Sequence, residues 1–190
     1  MRFSSKRNGV VEVRLDGVEG AVLASVAGDL VDLLGTQEDT ADDAAHNTSA
    51  DPLASIVGLP AGSGERPVDP ALARLLPDAY GDDDEAATEF RRYTEADLRA
   101  GKRAGARTLL ATLEPVGDHG GRLLLDRAGQ DAWLGCLNDL RLVLGTRLEV
   151  TEDTELDPTS DDPRQQGLQV YGWLGYVQES LLEAMTRGRR

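Results

Sequence analysis

Residues 11–36, VEVRLDGVEGAVLASVAGDLVDLLGT, and residues 121–146, GRLLLDRAGQDAWLGCLNDLRLVLGT, superpose without a gap at a shift of 110 positions. Leu15/Leu125, Asp16/Asp126, Asp29/Asp139, Leu30/Leu140, Leu34/Leu144, Gly35/Gly145 and Thr36/Thr146 are identical pairs. Each copy reads as strand, Leu-Asp cap, amphipathic helix and Leu-Gly-Thr stop. In the first copy Val11, Val13 and Leu15 alternate with Glu12, Arg14 and Asp16, the period of a half-buried strand. Asp16 can accept hydrogen bonds from the free N–H groups of a first helical turn. Leu23, Val26, Leu30 and Leu33/Leu34 then recur at spacings of three and four, one apolar stripe over 17–34. Gly35 suits the left-handed stop. The second copy predicts a strand at 122–125, a cap at Asp126 and a helix over about 127–147 ending at Gly145. One reading of the match is shared cap chemistry alone. The physical reading is two equivalent strand–helix units packed together, their strands joining the N-terminal arm in one small antiparallel sheet.

That arm is a hairpin. Phe3–Arg7 and Val10–Leu15 flank Asn8-Gly9, a dipeptide suited to a two-residue turn with positive φ at both positions. Beyond the first helix, residues 37–51 read as a flexible acidic linker, followed by a short helix at 51–57 and a turn-rich stretch to 67. Asp69 before Pro70 opens a short helix through Leu76. A long helix runs from about 84 to 113. Its small and aromatic positions Ala86, Phe90, Tyr93, Ala100, Gly101, Ala104 and Ala111 are expected in the core. An acidic loop at 151–163 precedes a last helix over roughly 164–187, striped by Val170, Leu174, Val177, Leu181 and Met185. The fold class is therefore α+β, mainly α. It is a single domain over 1–190 with a small antiparallel sheet from the N-terminal hairpin and the strand near 122–125.

The chain has 190 residues, 34 acids and 20 Lys plus Arg, for a net charge of −14. Residues 37–84 carry −9 and residues 151–163 carry −6, so the remainder is +1. The acid belongs to connecting segments, where it solvates and extends loops. The N-terminus lacks the apolar stretch of a signal peptide, and no apolar run approaches a membrane span, so a soluble cytoplasmic protein is expected.

One Cys excludes a disulfide framework. No phosphate-binding loop, dinucleotide fingerprint, nucleophile elbow or zinc-protease motif is present, and no cofactor, metal or catalytic residue is assigned. The candidate residues are of other kinds. Arg92, Arg99, Arg103 and Arg107 fall on one side of the long helix and form a candidate partner-binding stripe, against the plainer reading of a solvated helix face. Cys136 is a redox candidate, although a free Cys is more often a small buried apolar group. Asn138, Asp139 and Arg141 form a polar cluster inside a helix, read as a structural clamp in which a buried Arg141 needs a carboxylate such as Asp139.

Several runs resemble one family. RLLPDAY (74–80), EFRRYTEADLRAGK (89–102), WLGCLNDLRLVLGTRL (133–148), VTEDT (150–154) and YGWLGYVQESLLEAM (171–185) look like the actinobacterial AosR-like regulators, long catalogued only as a domain of unknown function. The match extends over nearly the whole chain and is weakest at 37–68. The resemblance implies a cytoplasmic, non-enzymatic transcriptional regulator of the oxidative stress response that works with a sigma factor. It also implies gene proximity to a Clp-protease adaptor and to cysteine biosynthesis. A switch built on paired thiols does not carry over, because Cys136 is alone. The expected mode of action is contact with another protein, a sigma factor or other transcription machinery, through the arginine stripe or the acidic loops. A second copy of the chain is a further candidate partner. Direct DNA binding, or a small ligand held near Trp133 and Arg141, stands as the alternative.

Overall fold

The computed structural model describes residues 1–35, 64–81, 83–157 and 159–188. The linker at 37–51 and the short helix at 51–57 lie outside the described residues. Among the described residues three strands and five α-helices follow in chain order: β1 (Arg2–Ser5), β2 (Val11–Leu15), α1 (Gly17–Leu33), α2 (Pro70–Leu75), α3 (Asp84–Leu113), β3 (Gly121–Leu125), α4 (Arg127–Arg147) and α5 (Pro163–Arg187). Each helix opens on an aspartate. Asp16, Asp69, Asp83, Asp126 and Asp162 all accept a first-turn N–H through their side chains. At Asp16 the cap is reciprocal, because the Asp16 N–H donates to the Glu19 carboxylate at 3.0 Å.

The sheet is antiparallel with order β1-β2-β3. Its register departs from the two-residue turn expected at Asn8-Gly9. Both residues do hold positive φ, 66° and 74°. The loop nevertheless spans three residues, closed by the Lys6 N–H donating to the Val10 carbonyl at 2.8 Å. The apolar pattern overrides the turn signal. A two-residue loop would set Phe3 against Arg14, whereas the observed register sets Phe3 against Val13, both facing the helices.

β2 and β3 pair about a local two-fold. Val13 lies opposite Leu123, its own counterpart at the shift of 110. Val11 lies opposite Leu125, and Leu15 opposite Gly121, so each pairing maps onto the other when the two units are exchanged. The units diverge at their ends. α1 stops at Gly35, whose φ is +72°. α4 runs through Gly145 and stops two residues later, with Glu149 taking the left-handed position at φ 51°. The reason is packing. A Cβ at Gly145 would stand 3.3 Å from the Tyr171 ring, so this glycine admits α5 and ends nothing.

One core unites the elements. Leu23, Leu30 and Leu34 of the first segment meet Leu109 of α3, Trp133 and Leu137 of α4, and Leu174 and Leu181 of α5. The face of α3 that enters it is not the one expected from small residues. Phe90, Tyr93, Ala100, Gly101, Ala104 and Ala111 are exposed, and Ala86 is only half-buried. The buried stripe is Ala87, Arg91, Arg103, Ala106, Leu109 and Leu113. The large apolar pair Leu109/Leu113 sets the rotation of the helix; steps of three from Leu109 reach Ala106 and Arg103, and Arg91 lies five full turns before Leu109, so both arginines turn inward.

Candidate functional site

The rotation of α3 places the predicted arginines in different surroundings. Arg103 is 3% exposed, makes no ion pair among the described residues, and its Nε has no hydrogen-bond partner. Arg99 is held by Glu95, Nη2 to Oε1 at 2.7 Å. Arg92 is half-buried with an unpartnered Nε, and only Arg107 is freely exposed. Arg91, not among the predicted residues, is buried and reaches Asp78, Glu95 and the Leu76 carbonyl. It fixes the segment after α2 against α3.

The polar residues of α4 tie helices together, with partners other than those expected. Asp139, 5% exposed, pairs with Lys102 of α3, Nζ to Oδ1 at 2.7 Å. Arg141 donates to Gln178 of α5 at 2.7 Å and lies 5.4 Å over the Tyr171 ring, so it needs no carboxylate. Asn138 is exposed. Trp133 is fully enclosed and its indole N–H donates to the Thr112 hydroxyl at 2.8 Å. Cys136 is buried, and burial followed by the Asp139 charge pushes its thiol up to about 12. Gln130 went unread in the sequence. Its buried amide donates to the Leu125 carbonyl at 2.9 Å and to Gly9 at 2.7 Å, fastening α4 to the hairpin loop.

The outward side of α3 is the most distinctive surface. Tyr80 and Phe90 meet edge to face with centroids 5.9 Å apart. Phe90, Thr94 and Leu98 line a shallow cleft against Pro77 and Ala79, and Tyr93 stands beside it. Phe90 is 45% exposed. The whole chain has two Trp, four Tyr and two Phe, so three of these rings crowd one exposed patch. Residues 78–97 around it carry eight acids and two bases, one base being the buried Arg91.

Among the described residues no group of three or more His, Cys, Asp or Glu converges as a metal site, and no helix is long and apolar enough to cross a membrane. His119 ends an exposed 3-10 turn after α3, and His46 lies outside the described residues.

Comparison with known proteins gives a consistent relationship. Residues 1–185 match the family described as a domain of unknown function, DUF2017. The chain is 35% identical over 184 residues to the oxidative stress regulator AosR of Mycobacterium tuberculosis and of Mycobacterium bovis, covering 90% of this chain and 80% of those proteins. It is 36% identical over 180 residues to the putative oxidative stress regulator AosR of Mycobacterium leprae, covering 88% of this chain and 78% of that one. No solved structure matches. The chain belongs to this family of AosR-like proteins, catalogued as DUF2017.

Proposed function

We propose that this protein is a non-enzymatic regulator of the oxidative stress response that acts by contact with transcription machinery, with a sigma factor as its partner. The observation that carries the reading is the 35% identity, over 90% of the chain, to proteins named as oxidative stress regulators. The surface that suits such contact is the aromatic patch of α3. Exposed aromatic groups gathered in one place are typical interface anchors. The acids around Tyr80, Phe90 and Tyr93 favour a partner segment that is basic around an aliphatic centre.

The test is capture of purified sigma factors and core RNA polymerase on the immobilised chain under reducing conditions. Retention of a sigma factor by the wild type, weakened about tenfold or more by Phe90→Ser with Tyr93→Ser, is expected for two lost anchors. Arg107→Glu examines the exposed member of the arginine stripe in the same assay. A wild-type chain that retains neither sigma factor nor polymerase ends this reading.

A further inference from the structure

The sheet turns one face to the helices and the other outward. Two registers decide what the outward face carries. Arg2 lies opposite Arg14, and Arg14 lies opposite Arg122. Directly opposed residues project to the same side of a sheet, so three arginines stand in one row across three strands. Strands lie about 4.8 Å apart, which makes the row about 10 Å long at the backbone. All three residues are exposed, and the Arg14 side chain is 57% exposed.

Among the described residues, little on this face neutralises them. Glu12 is the one carboxylate within the three strands, and it is already engaged by Arg14 Nε at 2.8 Å and by Lys6 Nζ at 3.2 Å. Those two hydrogen bonds hold its carboxyl below the usual value. Asp16 and Asp126, at the strand ends, are occupied as helix caps. Arg2 and Arg122 make no hydrogen bond or ion pair with any described residue. Like charges set directly opposite one another destabilise a sheet. The inward residues fix the register, and of the three arginines only Arg14 makes an ion pair among the described residues, the one with Glu12. The net charge of the chain is −14, so this row is a local exception. Two residues along from Arg122 on the same face, Leu124 is 66% exposed.

We propose that this face docks an acidic amphipathic helix of a partner protein, its carboxylates on the Arg2–Arg14–Arg122 row and an aliphatic side chain on Leu124. Guanidinium groups accept carboxylates through paired N–H donors. Carboxylates seven residues apart on a helix lie about 10.5 Å apart along its axis, the length of the row. Leu124 favours protein over nucleic acid, since a phosphodiester backbone offers it no apolar contact. The outward strand residues also include no ring on which bases could stack. The site is independent of the sigma-factor reading and lies on a different element from the α3 patch.

The test uses the full chain and a fluorescent helical peptide with Leu on one side and Glu at three successive turns. A second peptide has Gln at those three places, and a short duplex DNA serves as the third probe. A chain this acidic repels acidic probes in general, so affinity for the Glu peptide has to come from a local cationic site. The wild type is expected to bind the Glu peptide about tenfold more tightly than the Gln peptide, with affinity falling as salt rises. Arg2→Glu with Arg122→Glu alters two exposed side chains that pair with no described residue and is expected to keep the melting temperature while losing that tenfold preference. Leu124→Ser is expected to weaken both peptides. Equal binding of the Glu peptide by wild type and the double variant overturns the proposal. So does tighter binding of the DNA that the double variant abolishes, which assigns the row to nucleic acid.

Discussion

Cys136 sits where its chemistry is suppressed. Only the thiolate is a nucleophile, and burial beside Asp139 pushes this thiol up to about 12. Native chain at neutral pH is therefore expected to resist iodoacetamide and to yield no sulfenate after peroxide, with labelling appearing only on denaturation. Labelling of native chain at the rate of a free thiol would refute this. The same shift makes stability depend on pH. Unfolded Cys136 loses its proton above its ordinary 9.0, while the folded thiol keeps it to about 12. The unfolded state binds fewer protons in that window, so the contribution is complete below 9.0 and is lost as pH rises towards 12. Urea melts across the window are expected to show a shallower decline for Cys136→Ala than for wild type. Arg103 presents the opposite case, a buried charge without a carboxylate among the described residues. Replacing such a group by an apolar one of similar volume is neutral or favourable. Arg103→Met is expected to raise stability by about 1 kcal/mol, read as a higher melting temperature, and a clear fall would show that the guanidinium is compensated.

Elements were legible where a local signal was sufficient. The caps at Asp16, Asp69 and Asp126 locate three helix starts from the sequence alone, and the stripe of α5 buries Leu174, Val177 and Leu181 as its spacing predicts. What failed depended on distant partners. The Asn8-Gly9 signal is real, yet the hairpin register follows Phe3 and Val13, which answer to helices far along the chain. The rotation of α3 follows Leu109 and Leu113, while the small residues that suggested close packing face solvent. The arginine row was invisible because Arg14 and Arg122 become neighbours only through the β2–β3 register. Gln130 belongs to the same class, its bond to Gly9 spanning 121 residues. Gln130→Leu leaves two carbonyls without that donor and is expected to cost about 2 kcal/mol, with faster amide exchange at Lys6 in the hairpin; unchanged exchange there would remove Gln130 from the fastening of the loop. The turn into β3 is equally constrained. Gly120 holds φ +72°, and a Cβ there would stand 2.5 Å from Asp16 Cα. Gly120→Ala is expected to destabilise by about 3 kcal/mol in chemical denaturation, and a loss below about 1 kcal/mol would mean the junction yields easily.

At the scale of the molecule, the local two-fold through Val13 and Leu123 means neither strand–helix unit has a complete sheet or core of its own. The first 35 residues supply β1, the central strand β2 and α1. Most of what packs against α1 among the described residues comes from later in the chain, chiefly α3, the 3-10 turn after it and α4. β3 in turn has β2 as its strand partner. Leu23, Leu30 and Leu34 are fully buried in the intact chain and would face water in an isolated N-terminal piece. Exposing three such leucines forfeits on the order of 2 kcal/mol each, more than a unit of that size retains as net stability. Two fragments, 1–50 and 51–190, divided between α1 and α2, are therefore expected to be unfolded or insoluble alone and to co-purify when made together. The reconstituted pair should melt in one transition at a temperature that rises with fragment concentration, because joining the pieces has become bimolecular. If the 51–190 fragment alone unfolds cooperatively at the midpoint of the intact chain, the second unit holds its own core and the interdependence inferred from the register fails.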